Sequence, residues 1–354
     1  MKKFGVLVVD DSAFMRRALS QMIESDSQLY VVGIARNGLD AIDKVERLKP
    51  DIVTMDIEMP ELNGIGALEQ IMKTNPVPIC MISSLTKEGA AETIKALELG
   101  AADFMLKDTL LKSEIGSELA LEFLQRLKSI AETKFANKST EIKPVTNTIV
   151  KPPPVMSAKK LNKSKTDLVF IGCSTGGPSA LQAILPHFPN DFPIPVVVAQ
   201  HMPLGFTKPL ADRFNTLCHL QVKEAQNGEV LKAGTIYIEP SGKQTRFEKR
   251  ADGTVVFQID NQETPKVLYK PCVDISLASA APIYSDRLLA IILTGMGVDG
   301  TQGCSYVKKY NGRVLVEAEE SCVVYGMPKA VLEAGFADGQ YLLSRMYQEI
   351  IAII

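Results

Sequence analysis

The sequence predicts an α/β protein with two doubly wound, parallel-sheet domains, the second of which carries a small β-hairpin. Its 354 residues exceed one typical domain. In both halves, short β-branched apolar runs alternate with helical patterns, as in parallel sheets covered by helices. Residues 134–165 are rich in Lys, Pro, Ser and Thr and lack apolar periodicity, which is typical of a flexible linker. We therefore expect domains at residues 1–133 and 166–354.

Composition and charge exclude several classes of protein. The formal net charge of -2 argues against a nucleic-acid-binding surface over the whole molecule. No apolar run reaches the length of a membrane span, and two aspartates follow the first run too early for a signal peptide. We expect a cytoplasmic protein without membrane insertion. The six cysteines have no C-x-x-C spacing, so reduced thiols are expected and no structural metal.

The first domain is predicted to contain five strand–helix units. Strands are expected, in order, at "FGVLVVD", "YVVGIA", "DIVTMD", "PICMIS" and "DFMLK". Helices are expected at "SAFMRRALSQMIE", "GLDAIDKVERLK" and "AAETIKALELG", with a last amphipathic helix near residues 113–133. Such alternation predicts a parallel sheet, whose ligands gather at the carboxyl ends of the strands.

Polar residues stand at the ends of four of these strands. Asp10 and Asp11 end the first strand, Asp56 the third, Ser83 the fourth and Lys107 the fifth. Three carboxylates at one edge repel each other unless a hard cation such as Mg²⁺ lies among them. Asp56 can then accept a phosphoryl group, with the hydroxyl and the lysine holding its oxygens. A helix cap or an ion pair explains any one of these residues, but not all five together.

This pattern resembles a response-regulator receiver domain. The resemblance covers about residues 4–132 through "VVDDSAFMR", "DIVTMDIEMPELNGI", "MISSLT" and "GAADFMLK". It implies a flavodoxin-like (βα)5 fold and a histidine kinase as phosphoryl donor. The implied site roles are phosphorylation at Asp56, Mg²⁺ held by Asp10, Asp11 and Asp56, and a phospho-switch of Ser83, Phe104 and Lys107.

The sequence departs from the receiver pattern directly after Lys107. The family usually has proline there, often after a cis bond, whereas this chain has Asp108. A cis bond to a non-proline residue costs about 3 kcal/mol. The Lys107–Asp108 bond is therefore expected to be either trans or strained.

The second domain repeats the alternation less regularly. Strands are expected, in order, at "DLVFIG", "IPVVVAQ", "GTIYIEP", "RLLAIILTG" and "GRVLVEA". Between the third and fourth, "RFEKRADGTVVFQID" predicts a hairpin with an Asp-Gly turn.

A candidate nucleophile lies at the end of the first of these strands. "GCSTG" matches G-x-S-x-G, which presents Ser174 on a tight strand-to-helix turn, although a phosphate-binding loop or a helix cap has the same composition. Of the three histidines, His201 ends a strand at the same edge, whereas His187 and His219 do not. Asp299 follows another apolar strand and is the candidate orienting acid. Backbone amides in "STGG" and "TGMG" can stabilise an oxyanion.

Rival interpretations remain open at this point. Gly295, Gly297 and Gly300 form G-x-G-x-x-G after a strand, and Glu317 ends the next strand, which is the pattern of a dinucleotide-binding oxidoreductase. A non-catalytic signalling adaptor is a further alternative. A DNA-binding output domain would need a short basic helix-turn-helix segment, whereas the chain after the linker is too long and too rich in strands.

The second domain looks like the catalytic domain of chemotaxis protein-glutamate methylesterases. The segments that carry the resemblance are "IGCSTGGPSAL", "VVVAQHMP", "YIEPSGKQ", "KPCVDISL", "LTGMGVDG" and "SCVVYGMP". The resemblance implies hydrolysis of glutamate methyl esters on chemoreceptors, and deamidation of receptor glutamines, without a cofactor. It implies Ser174 as nucleophile, His201 as general base and then acid, Asp299 as orienting acid, and an oxyanion site at Met296 supported by Thr175.

Four residues depart from the usual pattern of that family. Cys173 stands where alanine is common, Gln244 where histidine is common, and "KPCVD" replaces R-P-S-V-D through Lys270 and Cys272. All three catalytic candidates are present, and we expect these changes to bear on how the substrate is positioned. We further expect the receiver to inhibit the esterase by covering the edge at Ser174 until Asp56 is phosphorylated.

Overall fold

The structure is a computed structural model that describes residues 2–84, 86–112, 114–132, 166–260 and 267–354. The chain divides into two compact units, Met1–Thr140 and Glu141–Ile354. The predicted linker, residues 134–165, lies outside the described residues, and the exact domain limits stay predictions. Within the described ranges, every helix is too short or too polar to cross a membrane.

The first unit is built on a five-stranded parallel sheet. Its strand order is β2-β1-β3-β4-β5, and each neighbouring pair is parallel. This confirms the predicted doubly wound (βα)5 fold. The strands are β1 (Phe4–Val9), β2 (Leu29–Ala35), β3 (Ile52–Asp56), β4 (Ile79–Ser83) and β5 (Asp103–Leu106).

Six helices cover this sheet, and side-chain caps set where most of them begin. Ser12, Asn37, Asn63, Thr86 and Ser117 each accept a hydrogen bond from a backbone amide in the first turn, which satisfies amides that have no partner inside the helix. The helices are α1 (Ala13–Glu24), α2 (Gly38–Leu48), α3 (Gly64–Thr74), α4 (Lys87–Glu98), α5 (Lys107–Lys112) and α6 (Glu118–Ala131).

The end of the first unit differs from the sequence-based prediction. The last helix starts at Glu118, capped by Ser117, and not near residue 113. A short additional helix, α5, begins directly at Lys107. The cis peptide of the described chain is Lys270–Pro271, so the Lys107–Asp108 bond is trans. A proline at position 108 would disfavour the helical conformation of Lys107, the residue before it, whereas Asp108 allows the helix to begin at Lys107.

The second unit is built on a seven-stranded parallel sheet and a separate hairpin. The sheet order is β14-β13-β12-β6-β7-β9-β8, with all neighbours parallel. The order reverses next to β6, and ligands of open α/β sheets bind outside the carboxyl ends at such a reversal. The strands are β6 (Leu168–Cys173), β7 (Val196–Gln200), β8 (Gln221–Glu224), β9 (Thr235–Ile238), β12 (Leu288–Ile292), β13 (Arg313–Glu317) and β14 (Gly339–Tyr341); β10 (Gln244–Lys249) and β11 (Val255–Asp260) form the hairpin.

The predicted hairpin packs against the sheet. β10 and β11 pair antiparallel, and the ring of Phe247 in β10 lies 6.4 Å from that of Phe170 in β6 and 5.6 Å from that of Phe257 in β11. All three rings belong to one buried cluster. The helices of this unit are α7 (Gly177–Gln182), α8 (Thr207–Leu217), α9 (Val273–Tyr284), α10 (Thr301–Lys309), α11 (Met327–Glu333) and α12 (Leu343–Ile353).

Candidate functional site

Ser174 lies on a tight turn between β6 and α7. Its side chain is almost fully buried, at 4% exposure. Its N–H donates to the Thr294 carbonyl after β12 (3.0 Å), and its carbonyl accepts from the Gly177 N–H (2.7 Å). Gly176 adopts the left-handed φ of 78° that completes the turn. These hydrogen bonds tie the backbone of Ser174, which follows β6, to the loop after β12 and to the start of α7. The residue is therefore fixed at the point where the strand order reverses.

The neighbouring strand brings His201 to the same edge. Cys173 and Gln200 are register partners in β6 and β7, and the His201 N–H donates to the Cys173 carbonyl at 3.0 Å. Ser174 and His201 therefore come directly after paired residues. The His201 ring is buried and stacks on Tyr269, with ring centres 4.3 Å apart and planes 15° apart.

Asp299, the third candidate catalytic residue, bonds the ring of His201. Its Oδ2 lies 2.8 Å from Nε2 of His201. The carboxylate also accepts N–H hydrogen bonds from Val273 (2.8 Å) and Asp274 (2.9 Å) at the start of α9, and from Gly300 (2.9 Å). Burial raises the pKa of Asp299, but the hydrogen bond and charge of His201 and these backbone amides outweigh burial and lower it to about 2.

The ionised carboxylate decides which ring nitrogen of His201 carries the proton. A carboxylate only accepts hydrogen bonds, so Nε2 must be protonated to bond Asp299. The other nitrogen, Nδ1, is buried and has no hydrogen-bond partner in the described part of the chain. Nδ1 therefore holds the lone pair that can take a proton, which is the property a general base needs.

Of the two candidate oxyanion residues, Thr175 directly follows Ser174, and Met296 lies in the loop after β12. Thr175 is 2% exposed, and its carbonyl accepts from the Thr294 hydroxyl at 2.9 Å. Met296 follows Gly295, where an added Cβ would lie 2.9 Å from Cβ of Ser174. Only glycine allows this close approach of the loop. The role of Met296 and Thr175 in oxyanion binding stays a prediction.

Cys173 has the properties of a structural thiol. It is fully buried, and its Sγ donates to Oε1 of Gln200 at 3.0 Å. Burial raises its pKa well above the usual value, which disfavours the reactive thiolate. The environment of Cys173 thus disfavours it as a rival nucleophile.

The glycine pattern after β12 does not form a nucleotide site here. Glu317, which would bind the ribose, is fully buried at the end of β13. Its Oε2 accepts from the Thr294 backbone N–H at 2.8 Å. A carboxylate in that position supports the loop beside Ser174, which disfavours a role in binding a ribose.

Gly177 gives a first testable prediction. An added Cβ would lie 2.0 Å from Oε1 of Gln200, and the amide of Gln200 also bonds the carbonyls of Ser174 and His201 at 2.9 Å. Gly177→Ala must therefore break this buried network, and we expect it to lower the free energy of unfolding by about 1–3 kcal/mol. Calorimetric unfolding checks this, and an unchanged transition would refute the tight packing of the turn.

The first unit contains a separate acidic site at the ends of β1 and β3. Oxygens of Asp10, Asp11 and Asp56 lie within 4.8 Å of one another. Nζ of Lys107 lies 2.6 Å from Oδ2 of Asp56 and 3.6 Å from Oδ2 of Asp10. Burial raises the pKa of Asp56 to about 6, against the lowering effect of Lys107. Oδ2 of Asp10 is buried and has no hydrogen-bond partner among the described residues, so the group fits an oxygen-liganded cation such as Mg²⁺.

The switch residues lie near this site but are engaged elsewhere. Ser83 is buried at the end of β4, and its hydroxyl accepts from the Thr93 hydroxyl of α4 at 2.7 Å. Phe104 is buried in β5. The structure thus brings the three aspartates and Lys107 together, while the Ser83 hydroxyl bonds α4.

Sequence reasoning missed the groups that hold the histidine and the acid. Tyr269 stacks on His201, and the start of α9 binds Asp299. Both lie in or next to "KPCVD", so that segment was the available signal. Its spatial role could not be derived because it is remote in sequence from both partners.

Comparisons with known proteins match both units. The family model described as CheB methylesterase matches residues 169–350, and that of the response regulator receiver domain matches residues 6–115. A protein of Vibrio parahaemolyticus named protein-glutamate methylesterase/protein-glutamine glutaminase is 42% identical, over 98% of this chain and 97% of that protein. A Thermotoga maritima protein of the same name is 46% identical, over 94% and 93% of the respective chains. The crystal structure of the Thermotoga maritima CheB methylesterase catalytic domain has a TM-score of 0.52 and 43% identity, and covers 54% of this chain and all of that one.

Proposed function

The chain belongs to the CheB methylesterase family and carries a response regulator receiver domain, and we propose that Ser174, His201 and Asp299 are its catalytic residues. The chain is a protein-glutamate methylesterase with protein-glutamine glutaminase activity. The observation that supports this assignment most strongly is the buried pair of His201 and Asp299, whose Nε2 and Oδ2 atoms lie 2.8 Å apart. The pair lies at the same edge of the sheet as Ser174, which follows the strand next to that of His201. The substrates are methylated glutamates, and glutamines, of chemoreceptors.

The proposed mechanism is acyl transfer through the serine. Nδ1 of His201 takes the proton of the Ser174 hydroxyl as Oγ attacks the ester carbonyl. Asp299 stabilises the imidazolium that forms. Backbone amides at Met296, supported by Thr175, bind the oxyanion. Nδ1–H then protonates the leaving methoxide, methanol departs, and the glutamyl group remains on Ser174.

The second half of the reaction returns the enzyme to its starting state. His201 removes a proton from water, which attacks the acyl-enzyme, and then returns that proton to Oγ of Ser174. The products are the free serine and a glutamic acid side chain, which then loses its proton to water and becomes the carboxylate. A receptor glutamine reacts by the same route with ammonia as leaving group. Every proton transfer in the two acyl-transfer steps is assigned to a side chain, so we infer that the esterase needs no cofactor.

The receiver is the proposed regulatory half. Asp56 accepts a phosphoryl group, and Asp10, Asp11 and Asp56 are the residues that would hold Mg²⁺. When bound, the ion neutralises charge on the incoming phosphoryl group. Lys107 pairs with the added oxygens, Ser83 leaves Thr93 to bind them, and Phe104 repacks. The donor is a chemotaxis histidine kinase, and we infer that the protein acts in the cytoplasm without binding nucleic acid.

Chelation of divalent cations tests whether phosphorylation of the receiver needs a metal ion while ester hydrolysis does not. We expect EDTA to abolish phosphorylation of the protein by a small phosphoryl donor, because the single charge of Lys107 cannot neutralise both the three aspartates and the incoming phosphoryl group. Methanol release by the unphosphorylated protein should stay unchanged, because its proton transfers need no metal. Parallel measurements of bound phosphate and of methanol test this. Loss of basal methanol release, restored by Mg²⁺, would contradict the assignment.

A further inference from the structure

The N-terminus of α9 holds the candidate triad acid. Cys272 precedes α9 and makes no side-chain cap bond to its own helix. Its Sγ instead donates to Oδ1 of Asp299 at 3.3 Å, beside the N–H groups of Val273 and Asp274. Three consecutive residues thus contact one carboxylate, and their position decides where Asp299 places its bond to His201.

One side chain fixes the backbone of Cys272 on both sides. Gln244, the first residue of β10, is 2% exposed. Its Oε1 accepts from the Cys272 N–H at 3.0 Å, and its Nε2 donates to the Cys272 carbonyl at 3.3 Å. Both bonds need a group that carries an acceptor and a donor together. An apolar side chain of the same length would leave the Cys272 N–H without this partner, which is costly. The Cys272 carbonyl would keep the hydrogen bond that it accepts from the Ser276 N–H at 3.1 Å.

Neighbouring polar groups fix the orientation of the Gln244 side-chain amide. Its Nε2, which has two hydrogens, also lies 3.0 Å from the Thr245 carbonyl oxygen and 3.4 Å from the Ser276 hydroxyl oxygen. With the Cys272 carbonyl, three acceptors therefore share these two donors. Ser276 is fully buried and donates to Oε2 of Glu239 at 2.9 Å. The amide therefore sits between the hairpin and α9 with its donor and acceptor sides set by neighbours from both.

We propose that Gln244 is a positioning residue for Asp299. It fixes Cys272, Cys272 and the start of α9 fix the carboxylate, and the carboxylate orients the His201 ring. The hydrogen bonds of the Gln244 amide go to Cys272, Thr245 and Ser276, so the proposal gives it no part in binding the substrate or in the proton transfers. This inference rests on the proposed function, since it assigns a task to Gln244 only if Asp299 serves His201.

A split between kcat and KM tests the proposal. Gln244→Met removes both bonds to Cys272, and we expect kcat for methanol release from methylated receptor membranes to fall by about 10- to 100-fold. KM should change less than about twofold, because no substrate contact is lost. Gln244→His should keep more of kcat than Gln244→Met, because one nitrogen of a neutral imidazole can still accept from the Cys272 N–H. Gln258→Met, the same change at an exposed position of β11, is the matched control.

A double-variant comparison shows whether Gln244 acts through Asp299. In an Asp299→Asn background, Gln244→Met should lower kcat by less than about threefold, since residues acting as a unit are not additive. An equal loss in both backgrounds, or no loss in the wild type, would overturn the proposal. Wild-type activity of Asp299→Asn alone would instead refute the triad. If Gln244→Met does not fold, Gln244→Asn, one methylene too short to reach Cys272, takes its place.

Discussion

Replacing Ser174 with alanine is expected to reduce methanol release by at least about 10³-fold, because the acyl-enzyme can no longer form and only binding and oxyanion stabilisation remain. His201→Gln should lose a comparable amount. The two losses should not add in the double variant, because the residues act in one step. Initial rates on methylated receptor membranes, measured with each purified protein, give these values.

Two controls show whether the loss of activity is caused by misfolding or by a different nucleophile. Ser174→Ala removes one oxygen without opening the turn, so its unfolding transition should match that of the wild type. Cys173→Ala should stay active, since the thiol is buried and its hydrogen bond among the described residues goes to Gln200, away from the proposed proton transfers. An active Ser174→Ala together with an inactive Cys173→Ala would reverse the assignment of the nucleophile.

Asp56→Asn is expected to abolish phosphorylation altogether, because an amide oxygen cannot form the acyl phosphate. Incubation with Mg²⁺ and a small phosphoryl donor should add one phosphoryl group to the wild type and none to the variant, as read by intact-protein mass spectrometry. The donor should also raise methanol release by the wild type and leave the variant unchanged. We attribute the increase to relief of inhibition by the receiver.

A fragment that begins near residue 166 is the control for that inhibition. It should be more active than the unphosphorylated full chain, and insensitive to the donor. If phosphorylation shifts the equilibrium between the inhibited and the active protein by about 1.4 kcal/mol, the active fraction changes by up to tenfold. A fragment slower than the full chain would mean that the receiver assists catalysis or receptor binding, and the inhibitory account would be wrong.

The sequence predicts those features that depend on long apolar strands and on their ends. β1, β6 and β12 are continuous apolar runs, and β3 and β7 are mostly apolar. Their position in parallel sheets puts the residues at and after their ends at one edge of the respective sheet. Asp56 and His201 could be placed for that reason. The β10–β11 hairpin was equally accessible, because the Asp-Gly turn separates two alternating segments.

Features that depend on contacts between distant segments could not be predicted. β8 and β14 are edge strands of four and three residues, too short to give a periodic signal. The sequence also did not indicate that Asp299 bonds Nε2 of His201 and leaves Nδ1 free, because ring orientation depends on α9 and Tyr269. The bonds of Gln244 to Cys272 span 28 residues, and no local pattern records them.

Identification of the residue that carries the covalent intermediate tests the central claim most directly. An active-site-directed phosphonate, which forms a stable bond to an activated serine oxygen, should label the wild type once. Peptide mass spectrometry should place the label on Oγ of Ser174, and His201→Gln should label far more slowly because Nδ1 no longer removes the proton. A label on another residue, or methanol release that continues while Ser174 is fully labelled, would contradict the assignment of Ser174 as the nucleophile.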